Sequence, residues 1–420
     1  MTGDLTTDFQ AALAECLSGR RPGHLTIACS GGGDSTALLV LAANWASSCG
    51  VTLDVVTVDH GLRPEAAAEA AGVGQLAARL GLSHKTLRWT DRPETGNLQD
   101  NARRARRALI AAHAAAVGSE GVLLGHTEDD VAETFLMRLA RGSGVDGLSA
   151  MAAMQQDRDL FWLRPLLGQS RSAIREFLTG RDIPWFEDPS NADLRFQRTR
   201  IRTELPGLAE IGLSATRLAW TAKGLSRTRK FLEQSTLEAA RSFAAVTALG
   251  DVRLDRTEFL AAPDEIRWRL LSHALGWVSS QAYRPRSAQV EAVLTALESP
   301  AMKPATLAGC LVLVEKNQTV TVTREYAQLR DLTAPATALW DRRWRARAPE
   351  QCEIRALGET GLSALGDWRA FGHSRPALLA SPALWQGDRF LAAPLLGLAH
   401  GTALNLTQGP DHFFTTILSH

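Results

Sequence analysis

The sequence predicts an α/β fold for its first half, and three observations lead to that prediction. Short apolar runs of strand length alternate with longer segments of helical periodicity. One of the short runs, residues 53–58, is rich in valine, as strands buried on both faces are. Motifs that carry polar or glycine residues directly follow three of the strand-like runs. This pattern is typical of a parallel sheet with helices on both faces, in which ligands bind beyond the carboxyl ends of the strands.

The predicted elements follow one another closely along the chain. The predicted strands are residues 25–29, 53–58, 84–90 and 122–124. The predicted helices are residues 35–46, 65–80, 97–117 and 128–139. The three motifs begin after residues 29, 58 and 124, so we expect them to meet at one edge of the sheet.

The length of 420 residues indicates two or three domains. Residues 264–297 have a helical pattern, and the runs 307–314 and 319–324, joined by a polar link, predict a hairpin. From about residue 329 onward the chain is rich in Pro, Gly and Trp, which is typical of a small β-containing module. We therefore expect a parallel-sheet domain over 1–205, a mainly helical domain with a hairpin over 206–328 and an α+β module over 329–420.

Composition narrows the classes of partner and compartment. The formal net charge is +1, but residues 191–230 carry nine Lys/Arg and three Asp/Glu, a local balance of +6 that favours contact with nucleic acid. The five cysteines include no C-x-x-C pair, which argues against a zinc or iron–sulfur site and fits a reducing compartment. No stretch is typical of a signal peptide or a membrane span, so we expect a cytoplasmic protein without a membrane partner.

A glycine loop follows the first predicted strand and precedes a predicted helix. It comprises Ser30, Gly31, Gly32, Gly33, Asp34 and Ser35. Glycines let the backbone present N–H groups to an anion, and the helix N-terminus adds partial positive charge. The loop lacks the Gly-Lys-Ser/Thr of a Walker motif and the third glycine of the dinucleotide fingerprint. Asp34 beside a phosphate indicates magnesium between them; the alternative is a tight turn in which Asp34 and Ser35 cap the helix.

The run Ser-Gly-Gly-x-Asp-Ser resembles the signature of the PP-loop ATP pyrophosphatases, which have an adenine nucleotide alpha hydrolase-like fold. Four further stretches resemble the tRNA(Ile)-lysidine synthases: residues 58–63, 97–107, 125–151 and 185–202. The third, GHTEDDVAETFLMRLARGSGVDGLSAM, is similar to that family's signature over nearly its full length. The chain departs from the family's pattern at three positions, since members often carry histidine at Thr127, glutamine at Val131 and tyrosine at Arg107.

The resemblance implies an ATP-dependent carbon–nitrogen ligase. It would join free L-lysine to the wobble cytidine of the tRNA(Ile) with a CAU anticodon and so form lysidine. The cytosine carbonyl oxygen would attack the α-phosphate of ATP, pyrophosphate would leave, and the lysine amine would then displace AMP. The product would read isoleucine in place of methionine codons. ATP and Mg²⁺ are the implied cofactors, residues 206–328 would contact tRNA, and we also expect a homodimer.

The same resemblance assigns roles to individual residues. Catalysis would involve Asp34, His126, Asp130, Glu133 and Arg202. ATP would contact the glycine loop, Asp59 and Arg103, while Asp34 would hold Mg²⁺. Asp130 and Glu133 would bind lysine, and Arg198, Arg200 and Arg202 would bind tRNA, on what their spacing predicts to be an extended segment or loop.

Alternatives stay open at several of these positions. Thr127-x-x-Asp130 also fits a capping box, Glu133 an exposed ion pair and Arg103 a solvated helix face. Asp130, Glu133 or His126 could accept the proton of the lysine amine, although His126 fits better as a contact to ATP or substrate. Two other classes of protein compete: a PP-loop thiolase, which would need a cysteine pair, and a non-catalytic RNA-binding protein with a nucleotide pocket.

Overall fold

A computed structural model describes residues 4–61, 65–90, 98–157, 159–187, 193–281 and 285–418. Parts of three motifs, residues 62–63, 97 and 188–192, lie outside this described part. The chain divides into two compact units, Met1–Thr228 and Arg229–His420. The expected boundaries after residues 205 and 328 stay predictions.

The first unit is built on a six-stranded sheet. Its strands are β1 (His24–Ala28), β2 (Thr52–Asp59), β3 (Ser83–Arg88), β4 (Gly121–Leu124), β5 (Met154–Asp157) and β6 (Leu160–Leu163). The spatial order is β3-β2-β1-β4-β6-β5, and all neighbours are parallel except β5 and β6. The four predicted strands are confirmed. The β5–β6 hairpin was not predicted, because β5 is an edge strand whose polar residues face solvent and show no strand pattern.

Nine helices of the first unit's described part connect or cover these strands. They are α1 (Leu5–Leu17), α2 (Gly33–Cys49), α3 (Ala66–Arg79), α4 (Leu98–Val117), α5 (Glu128–Leu139), α6 (Val145–Leu148), α7 (Arg171–Thr179), α8 (Gln197–Glu210) and α9 (Ala215–Phe243). The last of them continues past residue 228, where the second unit begins. The predicted helices at α2, α3, α4 and α5 are confirmed.

The expectation of an extended segment or loop for Arg198, Arg200 and Arg202 was wrong, because all three lie in α8. An arginine at every second position does not distinguish a strand from a helix here, because the first and third arginines are four residues apart and therefore also share a helix face. Arg198 and Arg202 therefore point to one side of α8, and Arg200 is exposed elsewhere on the helix.

Apolar side chains alternate between the two faces of the first unit's sheet. Leu25 and Ile27 of β1 pack with α1, α2, α3 and α7 in one core cluster. Val122 of β4 packs with Ile110 of α4 in another. Each large apolar side chain buried in this way stabilises the fold by about 1.5–3 kcal/mol. The sheet is therefore covered on both faces, as predicted.

The described residues from 244 to 324 of the second unit form a five-stranded antiparallel sheet and three helices. The strands are β7 (Ala244–Val246), β8 (Val252–Asp255), β9 (Ala305–Leu307), β10 (Cys310–Val314) and β11 (Thr319–Arg324), in the order β7-β8-β11-β10-β9. The helices are α10 (Arg256–Ala261), α11 (Asp264–Ser279) and α12 (Ser287–Glu298). The predicted hairpin is β10–β11. Ala308 and Gly309, with φ of 54° and 71°, form a turn that divides the run 307–314 into two strands.

The rest of the second unit combines short strands and helices. The strands are β12 (Thr333–Pro335), β13 (Trp344–Arg347), β14 (Glu353–Ala356), β15 (Pro382–Gln386), β16 (Arg389–Ala392) and β17 (Ala403–Leu406). They form a sheet of order β12-β14-β15-β16 and a separate pair, β13 with β17. The helices are α13 (Gly358–Ala364), α14 (Arg375–Ala380) and α15 (Pro410–Thr415), with 3₁₀ turns at Tyr326–Gln328, Trp368–Phe371, Pro394–Leu396 and Thr416–Leu418. This region therefore contains the β-sheets that its composition predicts, and a separate module over 329–420 stays a prediction.

None of the described helices combines the length and the apolar character that a bilayer span requires.

Candidate active site

The candidate site lies where the strand order of the first sheet reverses. The chain moves from β1 to β2 on one side and returns to β4 on the other, so the connections that leave the carboxyl ends of the neighbouring strands β1 and β4 lead to opposite halves of the sheet. Ligands of open parallel sheets bind at such a point. Gly125, directly after β4, lets the two ends approach closely. A Cβ at Gly125 would lie 3.0 Å from the carbonyl oxygen of Asp34 and 3.1 Å from Cα of Ser35.

The glycine loop has the conformation that its composition predicts. Gly31 has φ of 86°, and a Cβ there would lie 3.0 Å from Cδ2 of Phe186. The Ser35 hydroxyl donates to the Gly32 carbonyl at 3.0 Å and accepts from the Ser30 N–H at 3.2 Å. These bonds hold the loop closed around the start of α2.

The start of α2 is free to bind an anion. Its first intrahelical hydrogen bond runs from the N–H of Thr36 to the carbonyl of Gly32, at 2.9 Å. The N–H groups of Gly33, Asp34 and Ser35 therefore have no acceptor within the helix. No side chain caps α2, so Asp34 and Ser35 do not play the capping role considered as an alternative. Three backbone donors and the helix dipole together form a candidate phosphate site.

The N-terminus of α5 contains the predicted capping box. The N–H of Thr127 donates to Oδ2 of Asp130 at 3.0 Å, and the N–H of Asp130 donates to the Thr127 hydroxyl at 3.4 Å. The structural role of Asp130 is therefore confirmed. The capping box uses only Oδ2 of Asp130, however, and leaves Oδ1 directed toward the candidate site.

Arg171, the first residue of α7, joins three of the predicted site residues. Its guanidinium lies 3.2 Å from Oδ2 of Asp34, 3.2 Å from Oδ1 of Asp130 and 3.1 Å from Oε1 of Glu133. Its backbone N–H donates to Asp129 at 2.7 Å, which fixes the start of α7 against α5. The three carboxylates therefore surround one cationic group beside the glycine loop.

Glu133 has no exposed surface, and two further arginines contact it. Nε of Arg202 lies 2.8 Å from Oε1, and Nη2 lies 3.3 Å from Oε2. Nε of Arg198 lies 3.5 Å from Oε2, and its Nη2 donates to the Thr134 hydroxyl at 3.1 Å. The expected alternative of an exposed ion pair was wrong, because Glu133 anchors α7 and α8 from a buried position.

Burial and charge act against each other in this cluster. Burial raises the pKa of Asp34, and Arg171 opposes that shift. Burial alone would lower the pKa of Arg171, but Asp130, Asp34 and Glu133 raise it, so its guanidinium stays charged. The three carboxylates thus hold a cationic side chain in a partly buried position.

His126 lies between the strand end and the acidic helix. Burial lowers the pKa of His126 to about 4, and the positive charges of Arg164, Arg106 and Arg103 contribute while Asp130 opposes them. Its Nδ1 atom is buried and has no hydrogen-bond partner within the described part of the chain. A neutral imidazole with an unused nitrogen is suited to contact a ligand, whereas its low basicity makes it a poor proton acceptor at neutral pH.

Three predicted residues lie outside the carboxylate cluster. The carboxylate of Asp59 accepts a hydrogen bond from the N–H of Gly61 at 2.7 Å, which shapes the turn after β2. Arg103 is exposed on α4 and influences His126 electrostatically. Arg200 is exposed on α8. Their assignments to ATP and tRNA stay predictions.

Arg171 is the site residue that sequence reasoning missed. It lies outside all the stretches that resemble a known signature. One signal was present: Ser170 caps α7, and an arginine at the first helical position opposes the helix dipole, which favours acidic residues there. Such a residue needs compensation from elsewhere, and Asp34, Asp130 and Glu133 supply it.

The described residues contain no cluster of three or more acidic, histidine or cysteine side chains that could hold a metal alone. Magnesium does not require one, because it commonly takes one or two carboxylates together with substrate phosphates. Asp34, at the rim of the phosphate site, fits that arrangement.

The switch-point sheet, the open helix start and the adjacent carboxylates define an ATP-using enzyme of the PP-loop class. A family model of the PP-loop domain matches residues 5–208. The chain is 45% identical over 406 residues to the tRNA(Ile)-lysidine synthase of Ruegeria pomeroyi, covering 96% of each chain. It is 43% identical to that of Rhodopseudomonas palustris, covering 66% of this chain and 81% of the relative, and 34% identical to that of Wolbachia pipientis, covering 81% and 79%.

The chain therefore belongs to the tRNA(Ile)-lysidine synthase family and is an ATP-dependent ligase. The five cysteines are all free, four of them buried and Cys49 exposed. The thiolase alternative is not favoured, since the relatives that match along most of the chain are lysidine synthases.

Proposed function

We propose that this protein joins free L-lysine to the wobble cytidine of the CAU-anticodon tRNA(Ile), with ATP converted to AMP and pyrophosphate. The observation that carries the proposal is the placement of Asp34, Asp130 and Glu133 around one guanidinium beside a phosphate site. Carboxylates that already hold one cationic side chain have the charge to bind the ammonium group of a free lysine in its place. Among the substrates of this family, lysine is the one with an ammonium group on its side chain.

The glycine loop would bind ATP. The free N–H groups of Gly33, Asp34 and Ser35 would donate to phosphate oxygens, as helix N-termini do. Asp34 would hold Mg²⁺, which supplies charge neutralisation at the phosphates when bound. The cytosine carbonyl oxygen attacks the α-phosphorus, the bond to the bridging oxygen breaks, and pyrophosphate leaves. The cytosine is then activated as an adenylate.

The second step needs a neutral lysine amine, whose free pKa of about 10.4 keeps it protonated at neutral pH. Glu133 is held on both oxygens by arginines, and His126 is a weak base. Oδ1 of Asp130 is bonded to Arg171 alone, so displacement of that guanidinium leaves it open for the ammonium. We assign the proton to Asp130. The amine then attacks the activated ring carbon, and AMP leaves with the carbonyl oxygen.

We propose that three arginines of α8 contact tRNA at two different places: Arg198, Arg200 and Arg202. Arg202 and Arg198 lie against Glu133, so they would contact the reacting nucleotide. Arg200 is exposed and would contact phosphate elsewhere on the tRNA. A homodimer and a cytoplasmic location stay predictions, and sedimentation velocity checks the first.

The test is transfer of radiolabelled lysine to a CAU-anticodon tRNA(Ile) transcript in the presence of ATP and Mg²⁺. Labelled tRNA should form together with stoichiometric AMP, and omission of tRNA should abolish AMP formation. A tRNA whose wobble cytidine is replaced by uridine provides the matched substrate control. Absence of lysine from the tRNA, or equal labelling of the control, would contradict the proposed function.

A further inference from the structure

The first half of α9 carries a row of positive charge around one exposed indole. Residues 215–228 include Arg217, Lys223 and Arg227 and contain no Asp or Glu. Trp220 is 72% exposed, and the three cationic residues are also exposed. Their spacing of three, three and four residues places all four on one side of the helix, over about 15 Å of its axis. We call these four residues the α9 stripe.

The opposite side of this helix is already buried. Leu218, Ala219 and Ala222 pack against Val131 and Phe135 of α5 in one core cluster. The exposure of Trp220 is therefore a property of a well-packed helix and not of a loose one. Because α5 also carries Asp130 and Glu133, the stripe lies on a helix that is fixed directly to the helix of the candidate lysine pocket.

The positive charges of the α9 stripe are not neutralised by carboxylates of the described residues. Within the described part of the chain, no carboxylate pairs with Lys223 or Arg227, and the guanidinium of Arg217 donates only to the Gly212 carbonyl, at 3.2 Å. Exposing the large apolar surface of a tryptophan to water is unfavourable, and this surface is therefore buried in most proteins. Aromatic side chains flanked by Lys and Arg are what proteins use to bind unpaired nucleotides, with bases stacked on the ring and phosphates on the cations.

We propose that the α9 stripe is an RNA-docking surface on which Trp220 stacks an unpaired base of the tRNA anticodon loop. Arg217, Lys223 and Arg227 contact the adjoining phosphates. This inference rests on the proposed function, because it takes tRNA as the substrate. The charge excludes the competing occupant: a two-fold dimer would place this patch against itself, and three positive charges on each copy would repel.

The two kinds of contact give different signatures in one experiment. The dissociation constant of the full-length protein for fluorescently labelled CAU-anticodon tRNA(Ile) is measured at a series of salt concentrations. Trp220→Ala should weaken binding about tenfold at every salt concentration, because stacking is not an ionic contact. Trp220→Phe should recover most of the affinity. Lys223→Gln and Arg227→Gln should each reduce the slope of log Kd against log salt by about 0.7 to 0.9.

Thr221→Ala, on the same exposed part of α9, is the matched control and should bind like the wild type. Trp220→Ala should also raise the KM for tRNA while leaving kcat at saturating tRNA unchanged. Suppose that the wild type labels tRNA with lysine, but both Trp220→Ala and Lys223→Gln bind tRNA as tightly as the wild type does. The stripe proposal is then wrong, and the proposed function stands. If the wild type neither binds nor labels tRNA, both fail. If Trp220→Ala instead abolishes self-association, the surface belongs to a second copy.

Discussion

Nη1 of Arg171 lies 3.1 Å from Oε1 of Glu133, a residue with no exposed surface, across 38 residues of sequence. The same guanidinium reaches Asp34 and Asp130, so the acids that the proposed reaction would use for Mg²⁺ and lysine share one positive charge. On the proposed function, Arg171 occupies the place that the lysine ammonium group would take. Its guanidinium holds the three carboxylates in position, and it would move or share them when lysine binds.

Arg171→Ala should lower kcat by at least about tenfold, because the three carboxylates lose the group that positions them and the loss of one charge-assisted contact costs about 1.5–3 kcal/mol. The KM for lysine should not rise, since no guanidinium then has to leave the carboxylates before lysine binds. Arg171→Lys should restore part of the activity, since it keeps the charge but not the three-way geometry. Steady-state kinetics with lysine varied provides the measurement. Arg175→Ala, one turn along α7, removes only an exposed pair with Glu187 and should behave like the wild type. Equal losses in both variants would rule out a special role for Arg171.

Asp34→Asn should reduce tRNA-dependent pyrophosphate release by at least about a hundredfold. The carboxylate is the group at the phosphate site suited to hold Mg²⁺, and an uncharged amide is a much weaker ligand. A coupled pyrophosphate assay measures this, and unchanged thermal unfolding shows that the fold is intact. Retention of wild-type adenylation would show that Asp34 does not hold the metal.

Glu133→Ala should destabilise the protein by about 3–5 kcal/mol, since it leaves Arg171, Arg202 and Arg198 around an empty buried position. Urea unfolding gives the change. Glu133→Gln should be milder because the amide oxygen still accepts. Where the variants fold, the KM for lysine should rise more than the KM for ATP. A stability change below about 1 kcal/mol would mean that the arginine network is not a structural anchor.

The free energy of unfolding should fall as pH is lowered from 6.5 to about 4, in part through His126. Its pKa is depressed in the folded chain, so between these values the unfolded chain binds a proton that the folded chain does not. The full contribution is up to about 3 kcal/mol, at about 1.4 kcal/mol per pH unit. Denaturant unfolding at several pH values should show a flatter profile for His126→Gln. His400→Gln, at an exposed position, should keep the wild-type profile.

The sequence was sufficient to predict the parallel sheet and the edge where the site lies, because apolar periodicity and strand-end motifs are local features. It also predicted Asp34, Asp130 and Glu133 as site residues, and the structure brings their carboxylates together around Arg171. It did not predict that Arg171 joins them, because that contact depends on α7 packing against α5 and on charges 38 to 137 residues away. The helical state of Arg198 to Arg202 was missed for a different reason, since their spacing satisfies both helix and strand. The β5 edge strand had no apolar pattern to detect.

The lysine KM of Asp130→Asn, compared with Glu128→Gln, tests the cation pocket most directly. Both residues lie in the first turn of α5, but Glu128 accepts a hydrogen bond from Thr216 at 2.9 Å, whereas Oδ1 of Asp130 faces the pocket. The expected result is a KM for lysine at least about tenfold higher in Asp130→Asn, the effect of losing a charged partner, with little change in Glu128→Gln. An unchanged lysine KM in Asp130→Asn, or an equal rise in both variants, would contradict a lysine pocket at Asp130.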